Sequence, residues 1–366
     1  MNRTQSIDIA LAQINPTERE TVGKHLIAAD ATLLTAMEAL NRLSGDTMTL
    51  FVVDDNGKLT GSVTDGDIRR ALLSGSELGT DIKDACRENC MVITAGGNES
   101  LQVSQARKRG VNLVPIVKDG YIKSLIDLTK TKGYLPIDAV MMAGGAGERL
   151  RPLTLKTPKP LLPIGGKAII DYNIEELIRN NIKKIYITVN YLGEMIEEHV
   201  KKRWNTSGEE RVVCIREPFK TGTIGSLQLI DQPLSDDLIV MNSDLLTDIN
   251  FEEMYLRHVA NGADLTVAVT PYSVSVPFAI VEHEGERVKR LTEKPTFNYY
   301  VNAGIYILKR DALRHIPKGE YFDATDLIDK LLEEGKKVCQ YEIEGKWIDI
   351  GSPDDYRHAC KTIETI

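Results

Sequence analysis

Residues 137–166 read IDAVMMAGGAGERLRPLTLKTPKPLLPIGG. The apolar run from Ile137 to Met142 breaks into Gly144, Gly145 and Gly147, then meets Arg149, Arg151, Lys156 and Lys159. An apolar run ending in glycines predicts a buried strand feeding a tight loop. Small residues there let backbone N–H groups approach an anion, and the basic residues add charge. The spacing fits neither G-x-x-x-x-G-K-[ST], because Arg149 and Leu150 stand where Lys and Ser/Thr are needed, nor G-x-G-x-x-G. A phosphate site of another kind is the expectation.

Downstream, helix and strand patterns alternate. Helices are predicted over Ile169–Asn180 and Met195–Trp204 and around Leu227–Ile230, and strands at KKIYITV, VVCIRE and DLIVMNSD. Such alternation predicts a doubly wound, mixed but mainly parallel α/β sheet, with ligands beyond the carboxyl ends of its strands. Further on, LTVAVT, FAIVEHEGERVKRL and YYVNAGIYIL carry β-signals, the second as a hairpin around Glu284 and Gly285. Phe322–Glu334 reads as a helix and KVCQYEI as a strand.

Upstream, residues 1–23 read as a polar arm with room for one helical turn. From Ala31 onward Leu33, Leu34, Met37, Leu40 and Leu43 share one helical face. A strand, a turn at Asp54–Gly57, a second strand and a capped helix start follow in LFVVDDNGKLTGSVTDGDIRRAL. A comparable helix–strand–turn–strand order returns from Ser100, an internal duplication at roughly sixty residues. Gly133 and Pro136 punctuate a linker. The expected organisation is an arm (1–23), two repeats (24–80 and 81–133) and a larger α/β domain (134–366).

Composition bounds the function. The chain has 366 residues, 42% hydrophobic and 27% charged, with a net charge of −8. That is ordinary for a soluble protein of roughly two or three domains. No basic tract suits nucleic acid and no apolar run has membrane-spanning length. Cys86, Cys90, Cys214, Cys339 and Cys360 are odd in number and lack paired metal spacing, so free thiols in a reducing cytoplasm are expected. The opening residues show no signal-peptide core. The histidines show no metal spacing.

Two carboxylates stand out. Asp244 closes the apolar run LIVMNSD, and Asp349 lies between Ile348 and Ile350 in KWIDIGSPDDY. Asp236–Asp237 and Asp354–Asp355 read instead as solvated or capping acids.

GGAGERLRPLTLKTPKPLLPIGGKAIIDYNI resembles the opening of the sugar-1-phosphate nucleotidylyltransferases, most closely the mannose-1-phosphate guanylyltransferase branch; Glu148 departs from the Thr many members carry. The resemblance implies that Gly144, Gly145, Gly147 and Arg149 hold the triphosphate and that Lys159 steadies the α-phosphoryl group. By the same resemblance Asp244 and Asp349 hold Mg²⁺. Glu293 and Lys294 (LTEKPT) and Asn302 (YVNAGIY) would contact the sugar, with Ala279 where relatives often have glycine. Gly222 and Thr223 would approach the nucleotide, and Glu217 would read the base. A carboxylate only accepts hydrogen bonds, and guanine offers adjacent N1–H and N2–H₂ donors, which favours GTP.

The duplicated stretch resembles a tandem pair of CBS domains. GSVTDGDIRR matches their ribose-binding run, which implies Thr64 and Asp67 as ligands of a regulatory nucleotide; the second copy, KSLIDLTK, lacks the pattern. CBS pairs joined to a transferase resemble the glucosamine-1-phosphate guanylyltransferases of legionaminic acid synthesis, implying GDP-glucosamine as product. Mannose- or another hexose-1-phosphate is the alternative, and an inactive nucleotide-sensing regulator is the rival. A homo-oligomer is expected.

Overall fold

The apolar run before the glycines folds as the strand around which the larger part of the molecule is built. The computed structural model describes residues 3–205, 210–232 and 234–364. The chain divides into two compact units, Met1–Tyr134 and Leu135–Ile366.

In the second unit seven strands form one sheet. They are β1 (Asp138–Ala143), β2 (Ile185–Val189), β3 (Val212–Arg216), β4 (Asp237–Asn242), β5 (Leu265–Ser275), β6 (Thr296–Lys309) and β7 (Val338–Glu342), in spatial order 3-2-1-4-6-5-7. Neighbours are parallel except at β6, which runs antiparallel to both β4 and β5. The strand order reverses between β1 and β4, which leaves a crevice at their carboxyl ends.

Both faces of the sheet are covered, which is why its strands read as continuous apolar runs rather than alternating ones. Along β1 and β4, Ala139, Met141, Ile239 and Met241 enter one core. Their neighbours Val140, Leu238 and Val240 enter the other. Helices Ile169–Arg179, Gly193–Arg203 and Phe251–Asn261 close the first face, burying Ile170, Ile174, Leu177, Ile196, Val200 and Met254. Helix Ala324–Glu333 closes the second with Leu327 and Leu331. Burying one such side chain stabilises the fold by about 1.5–3 kcal/mol. The segment around Leu227–Ile230 is a 3₁₀ turn, Gly225–Leu229, rather than an α-helix. The hairpin at Glu284–Gly285 is present as Ile280–Glu284 paired with Arg287–Thr292.

The first unit holds two three-stranded sheets of one connectivity: Leu26–Ala28, Thr49–Val53 and Leu59–Thr64, then Ile93–Thr94, Leu113–Lys118 and Tyr121–Asp127. In each the first pair is parallel and the second antiparallel. Two details differ from the sequence reading. Residues 1–23 are more than a polar arm: a helix spans Arg3–Ala12, and Ala10, Ile14 and Val22 are buried with Phe51, Val53, Leu113 and Ile122, drawn from both sheets. On helix Leu33–Arg42 the buried positions are Leu33, Ala36 and Leu40, while Leu34 and Met37 are exposed. Ala36 joins the inward stripe, buried in the same cluster as Leu33, Leu40, Leu50 and Val52. No helix among the described residues is long and apolar enough to cross a membrane.

Candidate active site

Sheet register assembles the site. β1 and β4 pair with Met142 beside Asn242, so the glycine loop and the Asp244 turn leave the sheet side by side. Ser243 fastens them, its Oγ donating to the Met142 carbonyl at 2.8 Å. After the turn, Leu245–Thr247 pairs antiparallel with Trp347–Asp349, setting Leu245 opposite Asp349. The Ile350 amide also donates to the Asp244 carbonyl, 3.2 Å away. Two carboxylates over a hundred residues apart in sequence are thereby neighbours.

Lys159 stands between them, buried, and comes from a short 3₁₀ turn, Lys159–Leu161. Its ammonium pairs directly with Asp244 and lies 3.9 Å from Asp349 Oδ1. Arg149 completes the group: a Cβ built on Gly351 would lie 3.3 Å from both Arg149 Nη2 and Asp349 Oδ2. Burial, followed by the charge of Asp244, pushes the Asp349 carboxyl above its ordinary range; Lys159 and Arg149 oppose this. The glycine loop reaches Lys159 because Gly147 takes a left-handed φ of 60° and carries no Cβ, which would stand 3.2 Å from Lys159 Cβ. Gly145 faces open space.

Glu217 lies on the other side of the loop. It follows β3, its amide bonded to the Val189 carbonyl, and its side chain is buried. Oε2 accepts from Thr221 Oγ1 at 2.9 Å, while a Cβ on Gly144 would stand 2.6 Å from Oε1. Gly144 is thus small because the Glu217 carboxylate rests against it. Gly222 and Thr223 are held by the segment before helix Ala324–Glu333. A Cβ on Gly222 would clash with the Phe322 carbonyl oxygen. Thr223 donates its amide to Asp323 and accepts from the Ala324 amide, both at 2.8 Å. The polar groups of Thr223 serve the helix start.

The candidate sugar residues lie on the segment joining β5 to β6 and on β6 itself. Glu293 and Lys294 are exposed, Lys294 with a left-handed φ of 42°, and Ala279 is half-buried. Asn302 spends its side chain within β6, donating to the Tyr306 hydroxyl at 2.8 Å and accepting from the Gly304 amide at 2.9 Å. No hydrogen bond or ion pair among the described residues ties these four to the Lys159 cluster. In the first unit Thr64 and Asp67 are together. Asp67 accepts from the Thr64 amide (2.9 Å) and hydroxyl (2.6 Å), closing a capping box, and from Arg70 and Arg87.

Comparison with known proteins adds lineage to this geometry. Residues 138–366 match the nucleotidyl transferase family model. The chain belongs to the nucleotidyl transferase family. Residues 25–74 match the CBS domain model. The mannose-1-phosphate guanylyltransferase catalytic subunit beta of Danio rerio is 32% identical over 225 residues, 60% of this chain and 62% of that protein. The mannose-1-phosphate guanyltransferase of Schizosaccharomyces pombe is 31% identical over 226 residues, again 60% and 62%. The chain thus spans about three fifths of the length of the curated relatives it matches. The crystal structure of HddC from Yersinia pseudotuberculosis, 23% identical, covers 62% of this chain and 99% of that one, with a TM-score of 0.49.

The nucleotidyl transferase cluster suits a hard divalent cation. Asp244 Oδ1 is buried and accepts no hydrogen bond. No group of three or more His, Cys, Asp or Glu side chains that could hold a metal occurs among the described residues. Asp244 and Asp349 are the two carboxylates of this cluster, and carboxylate oxygens are the ligand type such an ion takes. Asn173 is a residue that sequence reasoning missed. Buried on helix Ile169–Arg179, it donates from Nδ2 to the carbonyls of Ser243 (3.2 Å) and Leu245 (3.0 Å), gripping the Asp244 turn from below. The available signal was an amide within the helix's apolar stripe, between Ile170 and Leu177. A surface cavity of about 450 Å³ near Lys183 and Arg211 adjoins the amino end of β2, away from this chemistry.

Proposed function

We propose that this chain is a sugar-1-phosphate guanylyltransferase, which joins GMP from GTP to a hexose 1-phosphate and releases pyrophosphate. The observation that carries the reading is the convergence of Lys159, Arg149, Asp244 and Asp349 beside the glycine loop, at the carboxyl ends of β1 and β4. A sugar phosphate oxygen attacks the α-phosphorus, forming a P–O bond as the α–β phosphoanhydride bond breaks. The nucleophile is already an anion near neutral pH, so no general base is required. What remains for the protein is positioning and charge stabilisation. Glycine-loop amides and Arg149 hold the triphosphate, and Lys159 offsets charge gathering on the α-phosphoryl oxygens. Mg²⁺ held by Asp244 and Asp349 would supply Lewis-acid charge stabilisation.

Glu217, fixed by Thr221 against Gly144, is the base reader in this proposal, and its acceptor-only carboxylate supports GTP. Gly222 shapes the turn beside it. The names of the relatives support mannose 1-phosphate as the sugar substrate, with glucosamine 1-phosphate as the second candidate. Ala279, Glu293, Lys294 and Asn302 form the sugar side. The repeats at 24–80 and 81–133 are proposed as a CBS pair in which Thr64 and Asp67 hold a regulatory nucleotide. Five free cysteines suit a reducing cytoplasm. The test is a matrix of nucleoside triphosphates against sugar 1-phosphates, scored by pyrophosphate release for wild type and Glu217→Gln. GTP with a hexose 1-phosphate should lead, and the variant should lose about 1–3 kcal/mol of the preference over UTP. An unchanged base ratio removes Glu217 from the role.

A further inference from the structure

The connection that carries Arg149 and Lys159 is fastened at its middle by a side chain the transfer chemistry does not use. From Glu148 to Lys156 every residue is exposed except Leu150 and Thr154. Leu150 is packed in an apolar cluster with Leu162 and Ile350. Thr154, 1% exposed, has no such cluster, and a polar group is buried in a loop where its hydrogen bonds are met. Its Oγ1 donates to the Gly147 carbonyl at 2.8 Å. Its methyl carbon lies 3.0 Å from where a Cβ on Gly147 would stand, on the glycine that also rests against Lys159 Cβ. One threonine thus holds the left-handed glycine of the loop by both its hydroxyl and its methyl. Support from outside the loop comes from the corner after β2. There the Tyr191 hydroxyl donates to the carbonyls of Thr154 (3.1 Å) and Leu155 (3.4 Å). Asn190, one residue earlier, donates from Nδ2 to the Glu217 carbonyl at 3.3 Å. Leu192, one residue later, takes a left-handed φ of 49°, a costly conformation for a residue with a bulky side chain. Strain of that kind persists where the surroundings impose it, and it clusters at functional sites.

We infer that Tyr191 and Thr154 are positioning residues for the transfer, a clasp that fixes the loop bearing Arg149 and Lys159 against the end of β2; this rests on the guanylyltransferase reading above. Apolar packing does not do this work. Leu153 and Leu155, the neighbours of Thr154, are 45% and 53% exposed, so the stretch between Leu150 and Pro158 is held by hydrogen bonds rather than by a core. Placement matters here because a misplacement of about 1 Å can cost 10²-fold in rate. Lys159 stands between two carboxylates and is aimed by the backbone on either side of it, so a loop that drifts at Gly147 carries the ammonium with it. The same corner holds Glu217 through Asn190, so the base reader and the phosphate loop are referred to one fixed point at the carboxyl end of β2. Neither side chain touches the reacting groups: the Thr154 and Tyr191 hydroxyls both end on loop carbonyls.

The test uses the full chain and two readouts, steady-state transfer from GTP to a hexose 1-phosphate and hydrogen exchange of the loop amides. Tyr191→Phe keeps the ring and removes the donor. Its kcat should fall about 10-fold or more, while KM for the hexose 1-phosphate changes less than about threefold. Its melting point should stay within about 2 °C of wild type, because an exposed hydroxyl contributes little to stability. Thr154→Val should lose kcat in the same way, and Thr154→Ser, which restores the hydroxyl, should recover most of it. The double variant Tyr191→Phe with Thr154→Val should lose little more than the worse single one, since both act through one clasp. Tyr341→Phe is the control: it removes a tyrosine hydroxyl that donates to Glu253 at 3.3 Å, on the edge strand β7, and should leave the rate unchanged. Amides between residues 147 and 157 should exchange faster in Tyr191→Phe and Thr154→Val than in wild type or Tyr341→Phe, and this readout needs no transfer activity. Faster exchange in a chain that transfers no nucleotide would strike the guanylyltransferase reading and leave the clasp standing. Unchanged exchange in Tyr191→Phe, or a Tyr191→Phe enzyme with the kcat of wild type, overturns the inference.

Discussion

Lys159→Met tests the core of the site, because it removes the cation that two carboxylates share. Lys159 is buried and pairs with Asp244, while Asp349 lies 3.9 Å away and raises the local negative charge. Breaking a buried pair from one side costs about 3–5 kcal/mol. Asp349 is 40% exposed at its side chain, so water screens its part and the lower end applies. For a unit of this size each kcal/mol moves the midpoint by about 2–4 °C. Metal-free Lys159→Met should therefore melt about 6–12 °C below wild type. Mg²⁺ should restore more stability to the variant than to wild type, because it replaces a charge that wild type already has; at a hundredfold excess over its dissociation constant a ligand contributes about 2.7 kcal/mol. Guanylyl transfer should fall about 10²–10³-fold, the effect of losing one donor to a developing oxyanion. Calorimetry with and without Mg²⁺, alongside pyrophosphate release, reads both arms. A loss of transfer under about fivefold, with equal Mg²⁺ stabilisation of both proteins, would refute the reasoning.

Three further outcomes follow from named contacts. Gly144→Ala places a Cβ 2.6 Å from Glu217 Oε1, so the carboxylate must rotate; the ratio of GTP to UTP efficiency should drop while the melting point changes little, as kinetics and calorimetry will show. Asn173→Ala frees two carbonyls of the Asp244 turn, and should cost about 1–3 kcal/mol in denaturant unfolding and lower kcat more than it alters KM. Asp67 is the pH-sensitive group of the first unit. Burial, the largest influence, pushes its carboxyl up, and hydrogen bonds from Thr64, Arg87 and Arg70 outweigh it and bring the net below the ordinary Asp value. The stability it confers is present above the unfolded Asp pKa and is lost as pH falls through the lower folded one. The stability gap between Asp67→Asn and wild type should therefore be largest near neutrality and close on acidification, as urea titrations at several pH values will report.

The alternating central sheet was legible because β1 to β4 bury both faces and have no choice but to be apolar throughout. Asp244 and Asp349 were legible only as carboxylates set against apolar neighbours, with a metal role implied by the resemblance alone. Their contact was not, since it depends on Leu245–Thr247 meeting Trp347–Asp349, a pairing of two three-residue strands with no local signal. Thr223 read as a nucleotide contact, yet its groups cap the helix after Asp323; a threonine in a glycine turn carries the same letters for either task. The helix Arg3–Ala12 was missed because only scattered residues such as Ala10 are buried, too few to form a stripe. The two faces of β6 over FNYYVN (297–302) were hidden as well, because the run mixes polar and aromatic residues until the register with β5 sorts them.

The central claim is that Lys159, Asp244 and Asp349 serve one direct transfer from GTP to a sugar phosphate. A rapid-quench single turnover with α-labelled GTP and Mg²⁺, run with and without hexose 1-phosphate, tests it most directly. The account predicts no pyrophosphate without the sugar phosphate. With it, one pyrophosphate and one GDP-sugar should appear per site at the same rate, and Asp244→Asn or Asp349→Asn should slow both by orders of magnitude. Pyrophosphate released before the sugar phosphate is added, with label held on the protein, would contradict it.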